Sequence, residues 1–160
     1  MTGTAARILG PIVAVALAAG CAGATGTPEL RIGPARASTP AAGVSQLALS
    51  IANDGDGDDR LVGATTDRAL TVEIHETVID DAGRAVMHLR EDGVVVPAGA
   101  TLRFRPGGLH LMLVVPDATV VPGGTLPVTL TFDRSPPVTV TVTVVPTAEL
   151  LDAVEDPSDP

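Results

Sequence analysis

The sequence predicts an all-β fold, an antiparallel sandwich or barrel, and three observations carry that prediction. Apolar and polar residues alternate with a period of two in segment after segment. Gly, Pro, Asn and Asp punctuate the chain at short intervals. No stretch keeps a helical period over about three turns.

The chain opens on a segment that is not part of that fold. Arg7 precedes the apolar run ILGPIVAVALAAG and then Cys21. The run is too short to span a bilayer and has the layout of a secretory signal over residues 1–20. LAAGC at 17–21 resembles a bacterial lipobox, which makes Cys21 the expected site of lipidation and the new N-terminus. Cys21 is the only cysteine, so an internal disulfide is excluded. Residues 21–42 are rich in Gly, Ala, Pro and Thr and read as a flexible tether, with room for a short strand at Leu30–Ile32.

The expected folded unit covers residues 43–146. QLALSIA (46–52) alternates, and DRLVGATT (59–66) follows a polar loop. ALTVEIHETVI (69–79) alternates along its length, with Leu70, Val72 and Ile74 on one face. RAVMHLR, GVVVPAG, TLRFRPGG, LHLMLVV and TLPVTLTF continue the series, and PVTVTVTVV closes it with Val/Thr alternation, the mark of a half-buried strand. Phe104 and Phe132 are the only Phe, Trp or Tyr residues, so the core must be built from Val, Leu, Ile and Ala. The end, 147–160, finishes in EDPSDP and reads as a disordered acidic tail.

Charge narrows the function classes. The net charge is −9, every basic side chain is Arg, and there is no basic stripe and no row of stacking aromatics, which argues against nucleic-acid binding. The acidic run NDGDGDD (53–59) invites a calcium reading. A calcium loop of the EF-hand type starting at Asp54 would need Gly at 59 and Glu at 65, where Asp59 and Thr65 stand, so a solvated hairpin loop is the better reading. No nucleophile elbow or phosphate-cradling glycine loop is present, and nothing points to an enzyme.

The chemistry lies in the soft side chains. Beyond Met1, every Met and His falls between 75 and 112: His75, Met87, His88, His110 and Met112. His75 lies opposite Val72 and Ile74 on its strand, and His110 and Met112 lie opposite Leu109, Leu111 and Leu113. Thioethers are soft neutral donors and imidazoles borderline ones, a set that favours Cu(I) over zinc and over oxygen-seeking calcium or magnesium. Such a site also avoids thiolates, which oxidise outside the cytoplasm. Met87 could instead be core filler and His88 a surface histidine.

The stretch from NDGDGDDRLVGATTDRA through VEIHETVIDDAGRAVMHLREDGVVVPAGATLRFRPGGLHLMLV resembles the PCu(A)C copper chaperone family. DRLVGATT, HET, VPAG and PGGLHLML stand in that family's order, and the likeness covers roughly residues 43–145. The resemblance implies a cupredoxin-like antiparallel Greek-key β-sandwich. It implies Cu(I) held by His75, Met87, His110 and Met112, although a register placing Leu89 in the slot of Met87 would leave three ligands. It implies export and delivery of copper to an acceptor, typically cytochrome c oxidase or an assembly factor; the lipobox at Cys21 adds the expectation of lipid anchoring on the outer face of the cell membrane, on the periplasmic or cell-wall side. Gly107 and Gly108 would then form the turn that sets His110 and Met112 at the rim. The competing expectation is a surface lipoprotein with an immunoglobulin-like sandwich, serving adhesion or envelope assembly without metal.

Overall fold

The alternating segments become eleven strands and one helix in the computed structural model, which describes residues 26–155. The signal segment, Cys21 and the last residues, 156–160, lie outside the described residues. The strands are β1 (Leu30–Ile32), β2 (Ala35–Ser38), β3 (Val44–Asn53), β4 (Asp59–Thr65), β5 (Ala69–Ile79) and β6 (Ala85–Leu89). After them come β7 (Val94–Val96), β8 (Thr101–Phe104), β9 (Leu109–Pro116), β10 (Thr125–Phe132) and β11 (Val138–Val145), with α1 (Thr147–Glu155) last.

Pairing runs β6-β5-β9-β3-β2-β11-β10-β4-β7, and β4 also pairs β5 at Ala64–Val72. That extra pairing closes the run from β5 to β4 into a barrel and leaves β6 and β7 as flaps outside the closure. All ladders are antiparallel except β2 with β11, which is parallel, so the expected purely antiparallel arrangement is corrected at that one seam. The parallel pair is possible because most of the domain separates the two strands in sequence and serves as the crossover. β3 is long enough to serve twice. Its first half pairs β2 and β9, and its second half pairs β1 and β8.

Strand parity builds the core. Leu47, Leu111, Ile74, Leu113 and Val72 face inward from one side of the barrel, and Ala64, Leu130, Val128, Leu126, Val142 and Ala37 from the other; all are buried. Phe104 and Phe132 are buried too. Each fully buried Leu or Val is worth about 1.5–3 kcal/mol of transfer free energy, which is how a core nearly free of aromatics suffices. Leu70 departs from its expected face partners and is 78% exposed. It stands at the rim, where the β5–β9 ladder ends at Ala69–Pro116.

The folded part is longer at both ends than the sequence suggested. β1 is the short strand expected at Leu30–Ile32, and Ala35–Ser38 form β2 rather than a tether; β2 fills the gap between β3 and β11, burying Ala35 and Ala37. Residues 147–155 form α1 rather than a disordered tail. Leu150 is buried, and Glu149 in the first turn suits the positive helix N-terminus.

The acidic loop is not merely solvated. Asp59 is buried, and its carboxylate accepts from the backbone N–H groups of Arg60 (2.7 Å), Arg134 (3.0 Å) and Ser135 (3.0 Å). Burial pushes its carboxyl up, but the Ser135 hydroxyl and these N–H groups outweigh that and hold it below the ordinary value. Asp56 accepts from Thr27 N (2.7 Å) and Asp58 from Ala98 N (2.8 Å), while Asp54 pairs with Arg31. Arg134 donates to the carbonyls of Asp58 (2.6 Å) and Gly26 (2.5 Å). The carboxylates that suggested calcium are therefore occupied by the chain itself.

Candidate metal centre

The candidate ligands lie on the outer face of three adjacent strands. β5 pairs β9 with His75 opposite His110 and Glu73 opposite Met112. β6 pairs β5 with Leu89 opposite His75 and Met87 opposite Thr77. Residues directly opposite share a face, so His75, His110, Met112 and Met87 all project to one side. The two imidazoles are cross-strand neighbours, with ring centroids 5.9 Å apart and planes 25° from parallel.

The thioethers flank that pair unequally. Met112 lies two residues beyond His110, diagonal to His75 and only 8% exposed. Met87 is also diagonal to His75, on the opposite side, and is 46% exposed on the edge strand. Diagonal neighbours are roughly 7–8 Å apart, within reach of a long side chain. Leu89, not Met87, shares the row of the two histidines. His88 is exposed on the other face of β6, opposite Glu76, and stands apart from the cluster.

Hydrogen bonding settles which ring nitrogens are occupied. The Gly108 carbonyl accepts from His110 Nδ1 (3.0 Å), and the Glu73 carboxylate accepts from His75 Nε2 (2.8 Å). Neither acceptor has a proton to give, so in a neutral ring that nitrogen carries the hydrogen and the other bears a lone pair. The other two, His75 Nδ1 and His110 Nε2, are buried and have no partner. Among the described residues they are the only buried side-chain N or O atoms in that condition. Each such group costs about 1–3 kcal/mol if nothing meets it, so two of them on neighbouring rings fit a soft cation that accepts lone pairs.

The Gly-Gly turn supplies the carbonyl. Gly108 N donates to Arg105 O (3.2 Å), closing a turn with Pro106 and Gly107 at its centre. Gly107 has φ 78°, the left-handed value that the third turn position needs after a proline and that favours glycine. The Gly108 carbonyl also accepts from Thr77 N (3.0 Å), which fixes it against β5.

No group of three or more His, Cys, Asp or Glu side chains able to hold a metal occurs among the described residues. The two histidines and Glu73 therefore do not make such a group by themselves, and the other donors on this face are the thioethers of Met112 and Met87. What sequence reasoning missed is Glu73 and the burial of His110. Glu-x-His on a strand puts both side chains on one face, and that signal was available.

The model of the LpqE-like lipoprotein family matches residues 29–144. The chain belongs to the LpqE-like family. A Leifsonia xyli subsp. xyli protein named as a lipoprotein, Lxx21020, is 39% identical over 82 residues, 51% of this chain and 49% of that protein. The chain thus spans about half the length of this curated relative. Among solved structures, this LpqE-like chain is similar to the copper-bound PCuAC domain from PmoF2. That match has a TM-score of 0.60 and 26% identity, over 73% of this chain and 92% of that one. CuI-DR1885 from Deinococcus radiodurans gives a TM-score of 0.60 at 26% identity, over 79% and 84%. The resemblance to PCu(A)C proteins thus holds for the fold, while the family model that matches carries the LpqE-like name.

The buried ring has a measurable consequence before any metal is added. Burial pushes the His110 imidazole below its ordinary value of 6.5, His75 adds to that push, and the Gly108 carbonyl only partly offsets it. Between the lowered value and 6.5 the unfolded chain binds more protons at this residue than the folded one, so stability falls as pH drops through that window. Urea unfolding of the metal-free protein from about pH 8 to 5 should show this loss, and His110→Leu should remove its share. Equal slopes in the two proteins would contradict the assignment.

Proposed function

We propose that this LpqE-like protein is an exported, lipid-anchored Cu(I) chaperone that binds copper and passes it to an extracytoplasmic acceptor. The observation that carries the reading is the pair of buried, unpartnered imidazole nitrogens, His75 Nδ1 and His110 Nε2, beside the buried Met112. The likeness to a copper-bound PCuAC domain and to CuI-DR1885 supports it. In this reading the domain is of the cupredoxin-like, Greek-key type and acts by ligand exchange rather than catalysis. An immunoglobulin-like adhesion domain would leave both nitrogens without a purpose.

Copper is cargo here. His75, His110 and Met112 form the closed side of the cup, and Met87 is the donor nearest solvent. An acceptor's ligand enters where Met87 stands, displaces the weakest bond first, and draws the ion outward. Cys21 carries the lipid that keeps the protein on the outer face of the cell membrane, on the periplasmic or cell-wall side. Cytochrome c oxidase or one of its assembly factors is the proposed recipient.

The test is a metal titration of the soluble form beginning after Cys21, in competition with a chromogenic Cu(I) chelator from about pH 5 to 8, with Zn²⁺ in parallel. One Cu(I) per chain, bound more tightly than Zn²⁺, is expected, because thioethers bring no charge to offset a divalent ion. Affinity should fall in acid, where protonated imidazole cannot ligate, and be nearly flat above about pH 6.5, since thioethers do not titrate. Tighter Zn²⁺ binding than Cu(I) binding would sink the proposal.

A further inference from the structure

We propose that Glu73 is a positioning residue: it fixes His75 in the tautomer that offers Nδ1 to the metal, so that copper is gripped through Nδ1 of His75 and Nε2 of His110. The inference rests on the copper reading above and adds which atoms bind and what selects them.

The two histidines are oriented by unlike partners. His110 is held by a backbone carbonyl that the Gly-Gly turn and Thr77 N lock in place. His75 is held only by the Glu73 side chain, at 2.8 Å. No backbone group backs it up, because its Nδ1 has no partner. A free imidazole has two neutral tautomers, and without Glu73 the proton could sit on either nitrogen. A proton on Nδ1 would block the lone pair beside His110. Carboxylates that hold a ligating imidazole in this way also raise its basicity, and their loss typically weakens metal binding ~10–100-fold.

Glu73 is well placed for the task. It lies two residues before His75 on β5, on the same face, and directly opposite Met112 on β9. Its side chain is 35% exposed, against 14% for His75, so the carboxylate closes the outer side of the ring. Arg90 pairs with Glu76 instead, on the opposite face.

The experiment begins with metal-free protein, labelled with ¹⁵N and held near pH 8. Long-range ¹H–¹⁵N correlation spectra report which nitrogen of each ring carries the hydrogen. Nε2–H is expected for His75 and Nδ1–H for His110. In Glu73→Ala, His75 should become a tautomer mixture while His110 is unchanged; in Glu73→Gln, whose amide oxygen still accepts, the wild-type tautomer should persist. Cu(I) should then shift His75 Nδ1 and His110 Nε2 most strongly. Affinity should fall ~10–100-fold in Glu73→Ala and be largely restored in Glu73→Gln. A His75 that carries its hydrogen on Nδ1 in the wild type, or an unchanged tautomer and affinity in Glu73→Ala, overturns the inference. Wild-type protein with the expected tautomers that takes up no Cu(I) would overturn the copper reading instead, and with it the role of the held ring as a ligand.

Discussion

His110→Ala is expected to abolish tight Cu(I) binding, with a loss larger than the ~10–100-fold typical of removing an outer partner of a metal ligand. His110 is fully buried and fixed at Nδ1 by the Gly108 carbonyl, so its Nε2 is the most rigidly aimed donor of the cluster. No other side chain on β9 can replace it, since Leu109 and Leu111 point to the opposite face. Met112→Leu should come second, because its thioether is buried beside the ring pair. Met87→Leu should cost least, below ~10-fold, as its side chain is half exposed and one row away from the histidines. His88→Ala should leave affinity unchanged. Chelator competition on the four purified variants checks the order, and a loss at Met87 exceeding that at His110 would relocate the cup.

Asp59→Ala should produce the largest loss of stability. It removes a buried carboxylate and strands the N–H groups of Arg60, Arg134 and Ser135. Stranding buried donors costs about 1–3 kcal/mol per group when nothing relaxes; partial access of water to this loop brings the expected total to about 2–4 kcal/mol. Asp59→Asn keeps one acceptor oxygen and should cost less. Because the carboxyl lies below its ordinary value of 3.8, the anchor is fully present above that pH and is lost as acid protonates it. Urea unfolding at neutral pH ranks the two variants, and near pH 3 the advantage of wild type over both should shrink. Equal stability of wild type and Asp59→Ala would show that the loops stay joined without the anchor.

Most of the sheet was legible because both faces of each strand obey one rule. The Val/Thr alternation of β11 reads directly as inward Val142 and Val144 and outward Thr141 and Thr143. β5 appears with the bounds its pattern gave. β2 was hidden, since Ala35 and Ala37 carry too little apolar surface to stand out in a Gly/Pro-rich stretch. The helix was hidden behind acidic residues, with Leu150 as its one buried anchor among those seen. At the cluster, parity correctly grouped His75, His110 and Met112. It could not show that the face they share is shielded from water, because parity names a face and not what lies over it. Nor could it fix Met87. That depends on the β5–β6 turn, where Asp80 accepts from Ala82 N and Arg84 N and Gly83 takes a left-handed φ of 75°. This turn sets Ile79 against Ala85 and so brings Leu89, not Met87, beside His75.

The ties that Arg134 and Asp56 make to Gly26 and Thr27 bear on geography. Five residues lead from Cys21 to Gly26, a leash of roughly 18 Å at full stretch. Its inner end is pinned beside the loop that follows β3. β9 runs against β3, so it starts at that same end of the barrel, and with it come the Gly-Gly turn and His110. With the proposed lipid on Cys21, the end of the barrel that carries the His75–His110 pair would hang over the headgroups rather than away from them. Exchange would take place in a thin layer above the membrane plane, within reach of integral proteins whose ligands barely clear the lipid, and a freely diffusing acceptor would have to come down to that surface to compete.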